Sequence, residues 1–248
     1  MDRAVFDRMA ELDAHHWWYV ARRQILSDLI AREVRPPACA RILEIGCGTG
    51  HNLEMLGKFG DVEAAELDPK ARVLAAERLG KTVHDGALPG LADQLGGGFD
   101  LIALLDVLEH VAEDRDALVA IRRMLKPGGA LVMTVPINKW MWTAHDAAHH
   151  HHRRYTKLEI AALARDAGYE ISLLSPFNTL LFPPIAAVRL LGKVLGREDA
   201  DDAMPSRGVN RLLQGLFGLE RHLVGRVTLP FGVSLVAVLR RPGERATG

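Results

Sequence analysis

A glycine-rich turn after a short apolar strand constrains the fold of this chain more than any other sequence feature. The strand candidate runs from Ile42 to Ile45, and Gly46, Gly48 and Gly50 follow at alternate positions. Glycine adopts backbone angles that other residues avoid, and it lets the main chain approach a ligand closely. The helix-compatible segment that follows would point its free N–H groups at the same ligand. The segment therefore predicts a ligand-binding strand–turn–helix unit.

A carboxylate at the end of the next strand candidate strengthens this interpretation. Glu66 ends the strand candidate 62–66 and lies 66 − 46 = 20 positions after Gly46. At this offset an acid meets ribose hydroxyls in βαβ nucleoside sites. The glycine spacing is G-x-G-x-G, not the dinucleotide pattern G-x-G-x-x-G. A solvated acid at a strand end is the alternative, but the two features together favour a nucleoside site.

Strand and helix candidates alternate along most of the chain. The strand candidates are 41–45, 62–66, 81–85, 99–105, 130–135, 169–174 and 231–239; helix candidates are 2–12, 18–35, 50–59, 69–79, 114–125, 157–167 and 208–224. Such alternation predicts a parallel sheet with right-handed crossovers and helices on both faces. Ligands bind at the carboxyl ends of the strands in such sheets. Gly46, Glu66, Asp85 and Asp106 are therefore expected along one edge.

Five segments resemble, in order, the motifs of class I S-adenosylmethionine (SAM) dependent methyltransferases. They are residues 44–50, 66–69, 84–86, 105–111 and 126–129. The resemblance implies a Rossmann-like, doubly wound α/β sheet of seven strands in the order 3-2-1-4-5-7-6, with the last strand antiparallel. It also implies S-adenosyl-L-methionine as cofactor and S-adenosyl-L-homocysteine as product. The chain looks similar to the type 11 methyltransferases and, distantly, to quinone-biosynthesis O-methyltransferases, but fold-level likeness does not name a substrate.

The same resemblance implies the cofactor contacts. Glu66 would take the ribose hydroxyls, Asp85 the adenine amino group, and Asp106 would lie beside the methionine part. Glu44 would brace the turn and the amino group of the donor. Gly86 occupies a position where a side chain often packs on adenine. Because glycine has no side chain, Ala87 or Leu88 would make that contact. The predicted cofactor set is Glu44, Gly46, Cys47, Gly48, Gly50, Asn52, Glu66, Leu67, Asp85, Gly86, Ala87, Asp106, Val107 and His110.

A histidine–aspartate step after the fifth strand candidate is the leading candidate for catalysis. Methyl transfer from a sulfonium is an in-line displacement that depends mainly on positioning. A hydroxyl acceptor usually also needs a base within hydrogen-bond reach. Histidine as a residue type titrates near neutral pH, and His145, followed by Asp146, should overhang the donor methyl. Residues 143–146 are also similar to a His-Asp step in the quinone-biosynthesis O-methyltransferases. A solvent-facing or substrate-orienting histidine is the alternative.

Aromatic and basic residues on both sides of the core are candidates for acceptor contacts. The cluster at 15–19 could close over the site as a lid, or dock the N-terminal helices onto the sheet. The histidines at 149–152 could contact the acceptor or form a solvated loop. The Arg153-Arg154-Tyr155 segment could clamp an anionic acceptor or fix the loop by pairing with nearby acids. The predicted acceptor set is Trp18, Tyr19, Trp142, His149, His150, Arg154 and Tyr155.

No metal is predicted. Asp106, Glu109 and His110 combine oxygen and nitrogen ligands, and some related O-methyltransferases use a divalent metal near this motif. The simpler interpretation places Asp106 near the donor and the other two at the start of a helix. The histidine run lacks the cysteine–histidine spacing of structural zinc sites.

Composition limits the partners and the compartment. The 248 residues balance 31 basic against 31 acidic side chains, so no global electrostatic footprint for nucleic acid exists. The local pairs Arg22-Arg23, Arg122-Arg123 and Arg153-Arg154 are typical of solvated helix faces. Two cysteines fit a reducing cytoplasm, and no apolar run approaches the roughly 18–20 residues of a membrane span. The sequence predicts a cytoplasmic protein that acts on a small molecule.

The chain is interpreted as a single methyltransferase domain, 1–248. Its parts are an N-terminal helical lid (1–37), a SAM-binding core (38–175), a helical insertion (176–228) and a final strand with a tail (229–248). The insertion could be a substrate lid, a homodimer surface, or a contact with a membrane surface or lipid-linked acceptor.

Methylation at a hydroxyl oxygen of a small molecule is the favoured function. N-methylation of a sugar or natural-product amine is the alternative within the class. From other classes, a non-catalytic SAM-binding protein or an NAD-dependent oxidoreductase remains open, since Glu66 would also suit the ribose of NAD.

Overall fold

A six-stranded mixed sheet runs through the protein, whose computed structural model describes residues 10–195 and 204–243. The strands are β1 (Ala40–Ile45), β2 (Gly60–Ala65), β3 (Phe99–Leu105), β4 (Leu125–Pro136), β5 (Glu170–Phe177) and β6 (Ser234–Arg240). Their order across the sheet is β2-β1-β3-β4-β6-β5. The first four strands are parallel, and β6 is antiparallel to both of its neighbours. The fold is therefore the α/β, Rossmann-like architecture expected.

The predicted seven-strand count is wrong, because residues 81–85 form no strand, and the seven-strand order is not confirmed. Only an isolated bridge joins His84 to Ala65 at the free edge of β2. The His84 N–H donates to Ala64 O at 2.8 Å, and the Glu66 N–H donates to His84 O at 3.0 Å. Val83 alone is buried among these five residues. The segment therefore has no apolar face long enough to hold a full strand against the sheet.

The helices lie on both sides of the sheet. They are α1 (Trp17–Leu29), α2 (Leu53–Gly57), α3 (Pro69–Leu79), α4 (Leu91–Leu95), α5 (Asp114–Met124), α6 (Ala144–Ala148), α7 (Lys157–Asp166), α8 (Phe182–Leu195) and α9 (Arg207–Gly218). A π-helical turn, Ile30–Val34, extends α1, and 3-10 turns span Leu108–His110, Lys139–Met141 and Leu219–His222. Of the predicted helix 2–12, residues 10–12 are helical and the rest lies outside the described residues.

Side-chain caps explain where two of these helices begin. The Asp68 carboxylate accepts the backbone N–H groups of Lys70 and Ala71 at 3.0 and 2.9 Å, ahead of Pro69 in the first turn of α3. A capping box begins α7. Thr156 and Glu159 each accept the backbone N–H of the other.

Alternate residues of the central strands pack into two apolar layers, one on each face of the sheet. Ile42 of β1 packs in the layer that contains Ile25 of α1, and Leu43 packs in the layer that contains Leu118 of α5. Strands buried on both faces are expected where helices cover both faces of a parallel sheet. The carboxyl ends of β1, β2, β3 and β4 thus meet at one edge. Within the described ranges, no helix has the length and apolar character that crossing a bilayer requires.

Candidate functional site

The glycine turn after β1 combines close packing with an open position. Gly46, Gly48 and Gly50 have φ angles of 70°, 55° and 86°, where side chains are strained. A Cβ on Gly46 would lie 2.6 Å from Val107 Cγ2, and one on Gly50 would lie 2.9 Å from Ala75 Cα. A Cβ on Gly48 would meet nothing within 4 Å. The outer glycines therefore permit packing, and Gly48 leaves its backbone open to a ligand.

Glu66 is tied to this turn by its own hydrogen bonds. One carboxylate oxygen accepts the Gly48 N–H at 2.8 Å, and the other accepts the Asp68 N–H at 2.8 Å. A carboxylate oxygen can accept more than one hydrogen bond. Glu66 can therefore hold the turn and still accept hydrogen bonds from the hydroxyl groups of a ligand.

Glu44 is a buried acid behind the turn. Asn52 Nδ2 donates to Glu44 Oε1 at 2.7 Å. Burial raises the pKa of Glu44 to about 8, against the opposing effect of the Asn52 hydrogen bond. Glu44 Oε2 has no hydrogen-bond partner among the described residues. Glu44 therefore contacts the cavity-lining Asn52 from behind the turn, and its bracing role stays a prediction.

An ion pair that the sequence analysis missed lies beside the carboxyl end of β3. Asp106 has a φ of 57°, and Arg22 of α1 forms an ion pair with its carboxylate. The Arg22 guanidinium also lies 4.5 Å from the centre of the Trp18 ring. Arg22 is only 5% exposed, so the prediction of a solvated Arg22-Arg23 face is wrong for Arg22. Its spacing of four from Trp18 places both on one helix face, which was the available signal.

A cavity of about 950 Å³ opens at this edge of the sheet. Most of the predicted cofactor residues line it: Gly46, Cys47, Gly48, Asn52, Glu66, Leu67, Gly86, Ala87, Asp106, Val107 and His110. Glu44 and Gly50 lie behind the turn. The Asp85 side chain is 68% exposed and pairs with Arg72 at 2.8 Å, outside the lining of the cavity.

The predicted acceptor residues divide into two groups. Trp18, Tyr19, His149 and Arg154 line the cavity, whereas Trp142, His150 and Tyr155 do not. Tyr155 is buried, and its hydroxyl donates to Asp114 Oδ2 at 3.0 Å. Helices α8 and α9, which belong to the predicted insertion 176–228, also reach the cavity. Their contributions are Pro184, Ile185, Val188, Arg189 and Leu213.

Asp146 is fully buried and organises the loop after β4. Arg154 donates to both carboxylate oxygens of Asp146, from Nε at 2.8 Å and from Nη2 at 3.0 Å. His151 Nδ1 lies 2.9 Å from Asp146 Oδ1. Burial alone would raise the pKa of Asp146, but hydrogen bonds from His151 and Arg154 outweigh it and hold the pKa below its usual range. Asp146 is thus a fixed anion that does not line the cavity itself.

The predicted base His145 belongs to α6 by its backbone, and its side chain lies outside the described residues. His151, which the sequence analysis treated only as part of the histidine run, lines the cavity instead.

Three histidines and one acid cluster on the acceptor side of the cavity. The ring centres of His110 and His151 are 4.7 Å apart, and those of His149 and His151 are 5.8 Å apart. Burial, with smaller contributions from His151 and His149, lowers the pKa of His110 to about 3. Burial and the Asp106 charge raise the pKa of Glu109 well above its usual range.

Three side chains of this cluster place possible ligand atoms close enough together to bind one metal ion. Single donor atoms of Glu109, His110 and His151 lie within 4.8 Å of one another. A cation there would have to compensate for ionising the buried Glu109. The absence of a metal stays a prediction.

Comparisons with known proteins identify a family and several relatives of this chain. A family model described as a methyltransferase domain matches residues 17–174. A ubiquinone biosynthesis O-methyltransferase of Maricaulis maris is 36% identical over 40% of this chain and 41% of its own length. Another from Idiomarina loihiensis is 29% identical over 65% of this chain and 71% of its own length.

Solved structures extend the likeness to the fold. The N-methyltransferase NodS from Bradyrhizobium japonicum, in complex with S-adenosyl-L-homocysteine, has a TM-score of 0.56 at 19% identity. The superposition covers 94% of this chain and 91% of that one. At this identity the likeness concerns the fold alone.

Proposed function

The chain belongs to the methyltransferase-domain family and is a SAM-dependent methyltransferase, and we propose that its acceptor is a hydroxyl oxygen of a small molecule. The observation that carries this proposal is the Asp146–His151 pair, in which a buried carboxylate lies 2.9 Å from a cavity-lining imidazole. The curated relatives named O-methyltransferases support the same choice of atom.

The residues of the cavity fit the donor. S-adenosyl-L-methionine supplies a methyl group already activated by a positively charged sulfur. The open Gly48 backbone leaves room for the donor, and the Glu66 carboxylate beside it would take ribose hydroxyls. Asp106 would lie beside the methionine part, where the Arg22 guanidinium also reaches.

His151 is the base that we assign to the acceptor. A hydroxyl is a weak nucleophile, and removal of its proton by a positioned histidine typically contributes about 10²–10⁴ in rate. Asp146 would act as a positioning residue, because its carboxylate holds the imidazole at Nδ1 and would stabilise the ring when it is protonated. In this arrangement Arg154 neutralises Asp146 and fixes the loop. His145 remains a second candidate.

Product analysis with variants tests the proposal. The protein is incubated with SAM and a panel of phenols, catechols and matched amines, and methylated products are identified by mass spectrometry. We expect methyl ethers. His151→Gln should lower kcat by about 10²-fold or more, with SAM affinity unchanged by calorimetry. His222→Gln, at an exposed histidine outside the cavity lining, is the matched control.

Methylation of amines alone, with His151→Gln as fast as the wild type, would overturn the assignment. N-methylation would then be the better description, since an amine acceptor needs only to be neutral at the moment of attack. We also keep a reducing cytoplasm as the proposed compartment, supported by two cysteines that remain free thiols, Cys39 exposed and Cys47 buried.

A further inference from the structure

Helix α8 is an apolar helix that the described chain leaves uncovered. Arg189 and Lys193 are its only charged residues among 14, yet none of its residues is buried within the described structure. Val194 is 82% exposed and Leu195 is 65% exposed. An apolar helix of this kind normally packs against another surface, because exposing the same area to water costs free energy.

Six of the exposed apolar residues of α8 share one face. They are Pro184, Ala187, Val188, Leu191, Val194 and Leu195, at intervals of three and four. The two cations point the other way, where Arg189 Nη1 donates to Met141 O at 3.1 Å and Lys193 Nζ donates to Trp140 O at 2.5 Å. The outer face of α8 therefore carries no charge.

Helix α9 adds a second exposed stripe with a basic border. Its inner face packs through Phe217 on Trp17 and Phe177. The outer stripe continues into the following 3-10 turn, and its members are Val209, Leu212, Leu216, Leu219 and Leu223. Arg207 and Arg211 are exposed on the same helix, one turn apart. An apolar stripe bordered by arginine is typical of helices that lie in a lipid interface.

The two segments that contain these helices carry almost entirely positive charge of their own, and Arg221 is paired with Asp28 of α1. In the described residues 180–195 and 204–229 the only acid is Glu220. It is fully buried and accepts the backbone N–H groups of Asn178, Thr179 and Leu180. The connecting sequence 196–203, outside the described residues, contains four acids. The experiment must therefore measure the lipid-charge preference directly.

We propose that the outer faces of α8 and α9 dock on the surface of a bilayer that contains anionic phospholipid. Apolar side chains would enter the acyl boundary, and Arg207 and Arg211 would meet the headgroups. A second copy of the chain fits less well, since a twofold contact through this face would bring its arginines together without acids to pair them. Because Val188 and Leu213 line the cavity, docking would bring its mouth to the lipid.

Vesicle sedimentation tests the proposal independently of any methyl acceptor. The full chain is mixed with vesicles of phosphatidylcholine containing about 30% phosphatidylglycerol, and with phosphatidylcholine vesicles alone. We expect binding to the anionic vesicles that weakens at high salt. Leu191→Asp should reduce the partition coefficient at least about tenfold, because a charge would replace an exposed leucine that would enter the acyl boundary. Leu158→Asp, at a leucine of α7 that is 81% exposed, is the matched control and should bind as the wild type does.

A second variant distinguishes a loss of lipid binding from a loss of folding. Arg207→Gln combined with Arg211→Gln keeps the apolar stripes and should remove the preference for phosphatidylglycerol. Wild-type protein that stays in the supernatant would overturn the proposal, as would Leu191→Asp protein that binds like the wild type. So would a dimer, seen by sedimentation velocity, that Leu191→Asp dissociates while no vesicles are bound.

Discussion

Removal of the Asp146 carboxylate should destabilise the protein strongly. Its two oxygens are close to Arg154 Nε and Nη2, His151 Nδ1 and the Thr143 N–H, all within 3.0 Å. Asp146→Ala would leave the Arg154 guanidinium, whose side chain is 3% exposed, buried without its counterion. Loss of one partner of a buried pair costs about 3–5 kcal/mol. At about 2–4 °C per kcal/mol for a chain of this size, the melting temperature should fall by about 6–20 °C.

Thermal unfolding followed by circular dichroism measures this effect. Asp146→Asn keeps the shape and one acceptor oxygen, so its loss should be smaller than that of Asp146→Ala. Asp116→Ala is the matched control. Asp116 is an exposed acid whose carboxylate lies 3.4 Å from Arg115, and such surface pairs contribute about 0–1 kcal/mol. In the same samples, Asp146→Asn should lower kcat more than it lowers SAM affinity, because His151 loses its orienting carboxylate.

Two results would contradict these roles of Asp146. If Asp146→Ala melts within about 2 °C of the wild type, Arg154 does not depend on this carboxylate. If Asp146→Asn keeps full kcat while His151→Gln loses it, Asp146 does not position the base.

Three further predictions concern the donor site, its pH dependence and metals. Glu66→Ala should raise the Kd for SAM by about 10–10²-fold, the scale of a charge-assisted hydrogen bond; unchanged affinity in calorimetry would remove Glu66 from the site. Because the folded-state pKa of Glu44 is raised to about 8 from 4.5, its ionisation costs stability increasingly from about pH 4.5 to 8. Glu44→Gln should therefore melt higher than the wild type at pH 8, with the difference shrinking towards pH 5, and a constant difference would contradict the shift. Dialysis against EDTA should leave kcat unchanged; loss of activity that Mg²⁺ restores would instead assign an ion to Glu109, His110 and His151.

Local signals made the donor side of the cavity predictable. The glycine turn and the acid at Glu66 each act over a few residues, so their spacing in the sequence carries the information. Residues 81–85 failed as a strand because a strand needs a partner surface, and only Val83 had apolar contacts to bury. The strand propensity of a segment does not show whether the fold offers it a partner surface.

The acceptor side depends on contacts between distant residues. Arg22 meets Asp106 across 84 positions, and Arg189 and Leu213 reach the cavity from helices after the fifth strand. Within the histidine run, His151 differs from its neighbours only because the chain folds it onto Asp146. Spacing could not distinguish these histidines.

The structure of a crystal soaked with S-adenosyl-L-homocysteine would show whether this cavity is the donor site. The nucleoside should lie in the cavity of about 950 Å³, with ribose hydroxyls within hydrogen-bond distance of the Glu66 carboxylate and the sulfur on the side of Asp106 and His151. Density for the ligand elsewhere on the protein, or none at saturating concentration, would contradict it.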